Sequence, residues 1–378
     1  MAPRLLAASG IFHPESGGPA TYLYALLPEL QRRGWEVRAL AYGSGAADGY
    51  PYPLRRIPRR ALPVRWMDYA RAAQPLLAWA DLVYIHSVGL PLVGSRRAPR
   101  ALKIVGDPAW ERAIRRGWIA PTEDVDAFQT RRYGPVVRLF QALRNREVRA
   151  MDGVIVPSAY LKRMVTGWGA DPARVRVIYN ALPAEPPGIP ATQAEARARL
   201  GLDDRPLLLT VARLTPWKGV DHLIAALRHV PDVRLLVAGD GDQRQALERQ
   251  ALQAGLADRV RFLGHIPREQ VALYLKAADY TALYSGYEGL SHTLLESLRA
   301  GTPVIASDKG GNPEVVRHGV NGLLAAYVDS TALAAALIEA FQPGRRAALA
   351  AQTAAGMERF AFSTMVQQTD AALRAFLE

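Results

Sequence analysis

Residues Tyr284–Val316, YSGYEGLSHTLLESLRAGTPVIASDKGGNPEVV, read as two strand-loop-helix units in succession. A short apolar strand over 279–284 leads into an irregular loop, and Ser291 is placed to cap the helix that follows. The apolar residues of this helix recur at helical spacing and predict one buried face: Leu290, Leu294, Leu295 and Leu298.

A second such unit begins with an apolar strand over 304–306. A glycine-bearing turn over 308–311 then precedes a short helix that starts at Asn312. Because parallel strands end at one edge of a sheet, both helix N-termini are expected to point at one crevice. Free backbone N–H groups favour an anion there.

Two carboxylates in this stretch, Glu288 and Glu296, are eight residues apart. At about 1.5 Å per residue they are separated by roughly 9–12 Å along a helix axis. At this separation the two carboxylates could bind two hydroxyl-bearing groups on either side of a phosphate. It is too long for them to act as a paired acid and base. Solvated helix carboxylates are the alternative interpretation for any such pair.

Two glutamates with seven residues between them, followed by Gly310-Gly311 in a Gly-Gly-x-Pro-Glu turn, resemble the motif of retaining glycosyltransferases of family 4. The loop from Arg213 to Lys218, an Arg-x4-Lys-Gly pattern after an apolar strand over 207–211, resembles a second mark of that family. The resemblance covers nearly the whole chain and is most specific in the second half.

This resemblance implies an α/β protein of the GT-B class, in which two Rossmann-like doubly wound domains face each other across a cleft. It implies transfer of a hexose from a nucleotide-diphospho-sugar, a UDP-sugar first and GDP-mannose next, with retention of anomeric configuration. No cofactor is expected, and no metal: Asp240-Gly241-Asp242 has the spacing of an Asp-x-Asp metal motif, but its context resembles the base pocket of GT-B enzymes.

The composition is that of a globular protein. The 378 residues allow two domains, 49% are hydrophobic, and there is no run of eighteen apolar residues that would predict a membrane span. The N-terminus leads straight into a strand without a secretory signal, and the absence of cysteine fits a reducing compartment. We therefore expect a cytoplasmic protein, peripheral at most at the inner face of the membrane.

Positive charge is concentrated in the first half. Residues 1–184 hold 27 Lys and Arg against 14 Asp and Glu, whereas residues 185–378 hold 20 against 21. This asymmetry suggests an acidic partner: a phospholipid surface, a phosphorylated or lipid-linked acceptor, or nucleic acid, for which no fold signature accompanies it. The densest cluster, 54–66, interleaves arginine with apolar residues and Trp66. A membrane-surface contact and a solvated basic loop are equally compatible with it.

We place the domain boundary in a proline-rich connector over 183–190. Residues 1–184 would bind the acceptor, and residues 185–359 would bind the donor. By resemblance, a final helix within 360–378 would return to the first domain. Apolar runs in the first half predict strands over 4–9, 36–42, 81–86, 103–107, 153–158 and 175–179.

Several residues of the first half are candidate site residues. Gly17 and Gly18 form a glycine pair in the turn after the first strand, and the resemblance places this loop over the donor phosphates. Asp107 follows Gly106 where related enzymes often carry a His-Asp pair, so Asp107 is a candidate for part of that catalytic role. The acceptor-side candidates, each with a structural alternative, are His13, His86, Ser158 and Asn180.

The second half supplies the donor-site candidates. Arg213 and Lys218 would hold the diphosphate. Arg213 offers a planar guanidinium fork, and Lys218 offers the compact charge of an ammonium group. Glu288 with the Gly289-Leu290 amides would position the sugar, and Glu296 would accept hydrogen bonds from the ribose. The turns expected to line the nucleobase pocket contain Gly239, Gly241, His265 and Ile266.

Two other classes of function use part of this pattern. A GT-B epimerase would convert the donor without an acceptor, and a GT-B phosphorylase would need a pyridoxal-binding lysine, for which the sequence has no motif. A non-catalytic membrane-surface protein would account for the basic first half but not for the set Arg213, Lys218, Glu288 and Glu296.

Overall fold

The computed structural model of the chain describes residues 2–15, 18–45, 47–182 and 188–377. It divides into two compact units. Unit 1 comprises Met1–Ala113, Arg131–Tyr179 and Ser363–Glu378, and unit 2 comprises Ile114–Thr130 and Asn180–Phe362. The excursion of Ile114–Thr130 into unit 2 is not anticipated by the sequence analysis. Much of the predicted connector, 183–187, lies outside the described residues, as does Gly17.

Unit 1 is built on a seven-stranded parallel sheet with the order β3-β2-β1-β4-β5-β6-β7. Its strands are β1 (Arg4–Ser9), β2 (Glu36–Tyr42), β3 (Leu54–Ile57), β4 (Leu82–Ile85), β5 (Arg100–Lys103), β6 (Gly153–Val156) and β7 (Val175–Val177). The strand order changes direction between β1 and β4. In open α/β sheets such a switch point leaves a crevice at the carboxyl ends of the strands, where ligands bind.

The helices of the first half are α1 (Gly18–Arg32), α2 (Leu62–Trp79), α3 (Pro108–Arg115), α4 (Val125–Thr130), α5 (Pro135–Arg149) and α6 (Ala159–Gly167). Ser158 caps α6, because its hydroxyl accepts a hydrogen bond from the Leu161 amide at 3.1 Å. The cap explains why the chain leaves β6 and turns at once into a helix.

Unit 2 has a six-stranded parallel sheet with the order β10-β9-β8-β11-β12-β13. Its strands are β8 (Leu207–Val211), β9 (Arg234–Ala238), β10 (Val260–Gly264), β11 (Tyr280–Leu283), β12 (Val304–Ser307) and β13 (Gly322–Ala325). Around them run α7 (Gln193–Leu200), α8 (Val220–Ala226), α9 (Arg244–Gln253), α10 (Arg268–Ala277), α11 (His292–Arg299), α12 (Asn312–Val315), α13 (Ser330–Ala340) and α14 (Arg345–Ala350). The second switch point lies between β8 and β11.

The last helix, α15 (Phe362–Ala375), lies almost entirely in unit 1. Tyr22 of α1 contacts Thr369 through their hydroxyls at 3.3 Å, and the Trp35 indole donates to Asp370 at 2.6 Å. A side chain at Gly153 would lie 2.3 Å from the ring of Phe376, so glycine is required where the end of the chain crosses β6. None of the described helices is both long and apolar enough to cross a bilayer.

Three strand predictions of the sequence analysis differ from the structure. The strand predicted over 103–107 is wrong, since β5 ends at Lys103 and Asp107 already caps the next helix. The strands β3 and β13 are missed. β3 places two consecutive arginines between buried Leu54 and Ile57. The basic cluster therefore comprises an edge strand, a short connection over 58–61 and the start of α2.

Candidate active site

A lysine and a glutamate that are 70 residues apart meet at the carboxyl edge of the unit 2 sheet. The Nζ atom of Lys218, in the loop after β8, lies 2.5 Å from Oε1 of Glu288, in the loop after β11. Their side chains are 18% and 14% exposed. The Ser285 hydroxyl donates to the same carboxylate oxygen at 2.7 Å. Since β8 and β11 are neighbours at the switch point, the topology brings the two loops together.

The geometry of the Lys218 loop depends on Gly219. This residue has φ +65°, and a Cβ there would lie 2.0 Å from the carbonyl oxygen of Tyr284. The amide of Gly286 donates to the Trp217 carbonyl at 2.8 Å. The two loops therefore pack backbone against backbone, and this close approach fixes the lysine against the glutamate.

The predicted glycine turn after β12 holds Glu288 from its other side. The Gly311 amide donates to the Glu288 carbonyl at 2.8 Å. A Cβ at Gly310 would lie 2.3 Å from that carbonyl oxygen, and a Cβ at Gly311 would lie 2.4 Å from the Gly289 carbonyl oxygen. The two strand-loop-helix units of the opening stretch thus meet through backbone contacts that only glycine permits.

Helix α11 begins as predicted, with the Ser291 hydroxyl accepting from the Leu294 amide at 3.3 Å. Its predicted apolar face is buried, with Leu294 and Leu295 fully inaccessible. On the opposite side, burial raises the pKa of the Glu296 carboxyl, and Arg268 and Arg299 oppose that rise. A carboxylate in such a setting is a strong hydrogen-bond acceptor for ligand hydroxyls.

The glycines of the two turns predicted for the nucleobase approach the loop after β8. The Gly239 amide donates to the Gly264 carbonyl at 2.7 Å, which joins the ends of β9 and β10. A Cβ at Gly239 would lie 1.9 Å from the Ala212 carbonyl oxygen, and a Cβ at Gly241 would lie 2.3 Å from the Leu214 carbonyl oxygen. The remaining side chains here are exposed or half-buried: Arg213, His265 and Ile266.

Asp107 is occupied by contacts within unit 1. Its side chain is fully buried, and its Oδ1 atom accepts hydrogen bonds from the Ala109 amide at 2.9 Å and the Trp110 amide at 3.2 Å. Its Oδ2 atom lies 2.5 Å from Nη1 of Arg144, whose guanidinium stacks on Trp168. These contacts describe a helix cap and a buried ion pair. The catalytic role predicted for Asp107 stays a prediction.

The acceptor-side candidates make separate contacts. His13 stacks on Tyr24 at 4.0 Å between ring centroids and contacts the Tyr50 hydroxyl at 3.1 Å, whereas His86 is buried among Tyr22 and Tyr84. Asn180 is 6% exposed, and its Oδ1 atom has no hydrogen-bond partner among the described residues. Gly18 begins α1, and Ser158 is the α6 cap already described. The roles predicted for them stay predictions.

Sequence reasoning missed two charged groups. Lys103, at the end of β5, is 4% exposed, and burial lowers its pKa to about 7. Lys309 lies 3.2 Å from Asp124 and 3.9 Å from Asp126 in the excursion 114–130. Lys309 lies within the stretch Tyr284–Val316, directly before the Gly310-Gly311 turn, and this position is its signal in the sequence. No sequence pattern marks Lys103, because it ends an otherwise apolar strand.

The sequence of the chain is similar to those of known protein families and relatives. The chain matches the family described as Glycosyltransferase Family 4 over residues 16–185 and the family described as Glycosyl transferases group 1 over residues 192–355. It is 31% identical over 366 residues to the GDP-mannose-dependent alpha-(1-6)-phosphatidylinositol monomannoside mannosyltransferase of Mycolicibacterium smegmatis, with 91% of each chain covered. A second relative is the D-inositol 3-phosphate glycosyltransferase of Mycobacterium sp. (strain JLS), 38% identical over 169 residues, which are 43% of this chain and 38% of the relative.

Solved structures of other proteins have the same fold as this chain. Sucrose-phosphate synthase from Thermosynechococcus elongatus superposes with a TM-score of 0.79 at 22% identity, covering 99% of this chain and 98% of the other. Anabaena HepE, solved in complex with UDP and glucose, superposes with a TM-score of 0.73 at 22% identity, covering 98% of this chain and 99% of the other. Two parallel-sheet Rossmann-like units of this kind have the GT-B fold. The chain belongs to glycosyltransferase family 4, the group 1 glycosyl transferases, as its motifs predicted.

Proposed function

We propose that the protein is a retaining hexosyltransferase that takes its sugar from a nucleotide-diphospho-sugar and transfers it to an acceptor hydroxyl. The observation that carries the proposal is the Lys218–Glu288 contact between the loops at the switch point of unit 2. Both side chains are partly exposed at the carboxyl edge, where a doubly wound sheet binds its ligand. The family to which the chain belongs supports the same reaction class.

In this proposal the diphosphate of the donor is held by Arg213 and Lys218. Their positive charges stabilise the negative charge that develops on the leaving nucleoside diphosphate, and this charge stabilisation lowers the barrier to transfer. Glu288 keeps the Lys218 ammonium oriented and, with the Gly289 and Leu290 amides, positions the sugar. Glu296 accepts hydrogen bonds from the ribose hydroxyls.

Retention follows if the acceptor hydroxyl attacks from the face that the diphosphate leaves. The departing phosphate oxygen can then take the proton of the acceptor hydroxyl while the new glycosidic bond forms and the bond to the phosphate breaks. This route needs no side-chain base. Measuring the anomeric configuration of the first product by NMR tests it, and an inverted product would contradict it.

Two donors are to be compared first. A relative matched over 91% of the chain is named for its dependence on GDP-mannose, and UDP-sugars are the donors that the sequence analysis placed first. Turnover of UDP-glucose and GDP-mannose, each with and without EDTA, separates the two and tests the proposed independence of metal. Conversion of the donor without an acceptor would instead favour an epimerase.

The acceptor is proposed to be phosphorylated or lipid-linked. Its support is the excess of positive charge in residues 1–184 and the names of two relatives, a phosphatidylinositol monomannoside mannosyltransferase and a D-inositol 3-phosphate glycosyltransferase. Transfer from radiolabelled donor to a total bacterial lipid extract, compared with transfer to soluble inositol phosphate, tests this. Incorporation into neither would leave the donor half of the proposal standing and overturn the acceptor half.

The Lys218 contact is tested by substitution. Removing one charge-stabilising donor from a transferase site typically lowers kcat by about 10²–10³, so Lys218→Ala and Arg213→Ala should each lose activity on that scale. Arg261→Ala, which removes an exposed arginine of β10, is the matched control. Near-normal turnover in both Lys218→Ala and Arg213→Ala would overturn the mechanism.

A further inference from the structure

Three buried polar side chains lie behind the Lys218–Glu288 contact, at the carboxyl ends of β11 and β12. Ser285 follows β11, Ser307 is the last residue of β12, and Asn312 is the first residue of α12. All three are completely inaccessible to solvent. A buried polar side chain costs free energy unless it is hydrogen-bonded, so the contacts of these three residues indicate what each of them does.

The three residues form a continuous chain of hydrogen bonds that ends on the Glu288 carboxylate. Nδ2 of Asn312 donates to Oγ of Ser307 at 3.0 Å, and Oγ of Ser307 donates to the Ser285 carbonyl at 2.5 Å. Oγ of Ser285 then donates to Oε1 of Glu288 at 2.7 Å. We call this set of residues the serine relay: Asn312, Ser307 and Ser285.

The direction of each hydrogen bond in the serine relay is fixed by its partners. A carbonyl oxygen only accepts, so the Ser307 hydroxyl proton points to the Ser285 carbonyl. The Ser307 oxygen is then left as an acceptor, which requires the amide nitrogen of Asn312 and not its amide oxygen. An ionised carboxylate also only accepts, so the Ser285 hydroxyl proton points to Glu288. Each hydroxyl therefore has one orientation, set from Asn312 onward.

The start of helix α12 does not account for Asn312. Asparagine near a helix start ordinarily caps the helix, but the residue before α12 is Gly311, and no side-chain cap bond forms there. The buried Oδ1 atom of Asn312 has no hydrogen-bond partner among the described residues. An unpaired buried acceptor costs free energy, so an apolar side chain would serve packing better here. The contact that accounts for Asn312 is the one to Ser307.

The serine relay controls the side chain of Glu288, whose main chain is already held by the Gly311 amide. The hydrogen bonds from Lys218 and Ser285 both reach the same carboxylate oxygen, Oε1. Two donors on one oxygen fix the plane of the carboxylate, and the other oxygen, Oε2, is then available to a ligand. The carboxylate is 14% exposed, so a ligand hydroxyl can reach it.

We propose that Ser307 and Asn312 are positioning residues for Glu288. They hold Ser285 so that its hydroxyl fixes Oε1 and thereby aims Oε2 at a hydroxyl of the donor sugar. The inference rests on the proposed role of Glu288 in positioning the sugar, and it adds residues that touch no ligand. A group held in place before the sugar binds needs no ordering during the reaction, which lowers the barrier to transfer. Binding of a nucleoside diphosphate without its sugar should not depend on the serine relay.

The experiment is a double-mutant cycle on the full chain. Ser307→Ala and Asn312→Leu are each made in the wild type and in Glu288→Gln, and kcat/KM is measured as release of nucleoside diphosphate from UDP-glucose and from GDP-mannose. Melting shifts with UDP and GDP are measured on the same variants. The matched control is Ser297→Ala in α11, because Ser297 is equally buried and donates to the Thr302 carbonyl at 2.9 Å.

We expect Ser307→Ala and Asn312→Leu to lower kcat/KM by about ten-fold, since misplaced site groups lose rate. The melting shift with nucleoside diphosphate should be retained. Ser297→Ala should lower the melting temperature but leave kcat/KM within about two-fold of wild type, and in Glu288→Gln the relay substitutions should also cost at most about two-fold.

Equal losses of kcat/KM in Ser307→Ala and Ser297→Ala would overturn the inference, because the loss would then come from any buried hydrogen bond. An undiminished loss in the Glu288→Gln background would overturn it too, since the relay residues would not act through Glu288. Both results leave the role of Glu288 intact. Full activity of Glu288→Gln alone would instead overturn the proposed function, and the relay with it, so the two failures are distinguishable.

Discussion

The carboxyl edges of the two sheets use their charged residues differently. In unit 2 the loops after β8, β11 and β12 pack through glycines and leave Lys218 and Glu288 18% and 14% exposed. In unit 1 the corresponding polar residues are enclosed: Asp107 is fully buried against Arg144, and His86 is 6% exposed. A charge that remains accessible while held in place can meet a ligand, whereas a charge already satisfied inside the fold contributes to stability. This difference supports the proposal that donor activation takes place in unit 2.

The largest expected effect, on the free energy of unfolding, comes from breaking the buried Asp107–Arg144 pair of unit 1. Removing one partner of a buried ion pair costs about 3–5 kcal/mol, so Asp107→Ala should lower the free energy of unfolding on that scale. Urea unfolding of Asp107→Ala, Arg144→Met and the double variant measures the coupling, and the double variant should recover part of the loss. The isosteric Asp107→Asn keeps the cap acceptor, so kcat should change by only a few-fold. A hundred-fold loss of kcat in Asp107→Asn with an unchanged melting temperature would contradict this and support the catalytic role predicted from sequence.

The next effect concerns the accessible pair of unit 2. Glu288→Gln removes the charge that orients the Lys218 ammonium but keeps the shape of the side chain. We expect kcat to fall by about 10²-fold, since a preorganised charge is lost, while KM for the donor changes less. Glu314→Gln, a half-buried glutamate in α12 that follows the glycine turn, is the control for a lost charge nearby. Equal losses in the two variants would mean that the Lys218–Glu288 contact has no special role.

A third prediction uses the buried Lys103. Its pKa is lowered to about 7 in the folded protein, so the unfolded chain binds one proton more than the folded chain between about pH 7 and its ordinary value of 10.5. The stability contribution of this group therefore rises with pH through that window, by at most about 1.4 kcal/mol per pH unit. Lys103→Met should raise the melting temperature at pH 7 and flatten the increase between pH 7 and pH 9. Parallel pH profiles for wild type and Lys103→Met would contradict this.

The smallest effect tests backbone strain beside the unit 2 loops. Val328 has φ +65°, a conformation that a β-branched residue adopts at a cost, and its side chain is 65% exposed. Val328→Gly should stabilise the protein by about 0.5–1 kcal/mol, since the relief of strain exceeds the added chain entropy. Val320→Gly, at a position of ordinary φ, should destabilise it instead. A melting temperature that falls in both variants would show that the turn at Val328 is unstrained.

Much of the fold is readable from the sequence because the strands of parallel sheets are continuous apolar runs. β1, β2 and β8 begin and end where the pattern predicts, and the cap at Ser291 follows from residue type alone. β3 is missed because this edge strand has two adjacent arginines between its buried leucine and isoleucine, a sequence that resembles a basic loop. The strand predicted at 103–107 fails because its last residue is needed as a helix cap.

The site is less readable, because its contacts join distant residues. The motifs select Lys218 and Glu288 individually, but only the order of β8 and β11 in the sheet makes them neighbours. The surroundings of Asp107 likewise depend on a distant residue, since Arg144, 37 residues later, lies beside it. The burial of Lys103 depends on α1 and the sheet together, and no local pattern encodes it.

The most direct test of the account is the shift in melting temperature of the metal-free protein with UDP, GDP and ADP, repeated for Lys218→Gln. A ligand at a hundred times its dissociation constant stabilises a protein by about 2.7 kcal/mol. The account predicts a clear rise with one of the three nucleotides and its loss in Lys218→Gln, with the rise intact in the Arg261→Ala control. An equal rise in the wild type and Lys218→Gln would contradict the claim that this lysine holds the diphosphate.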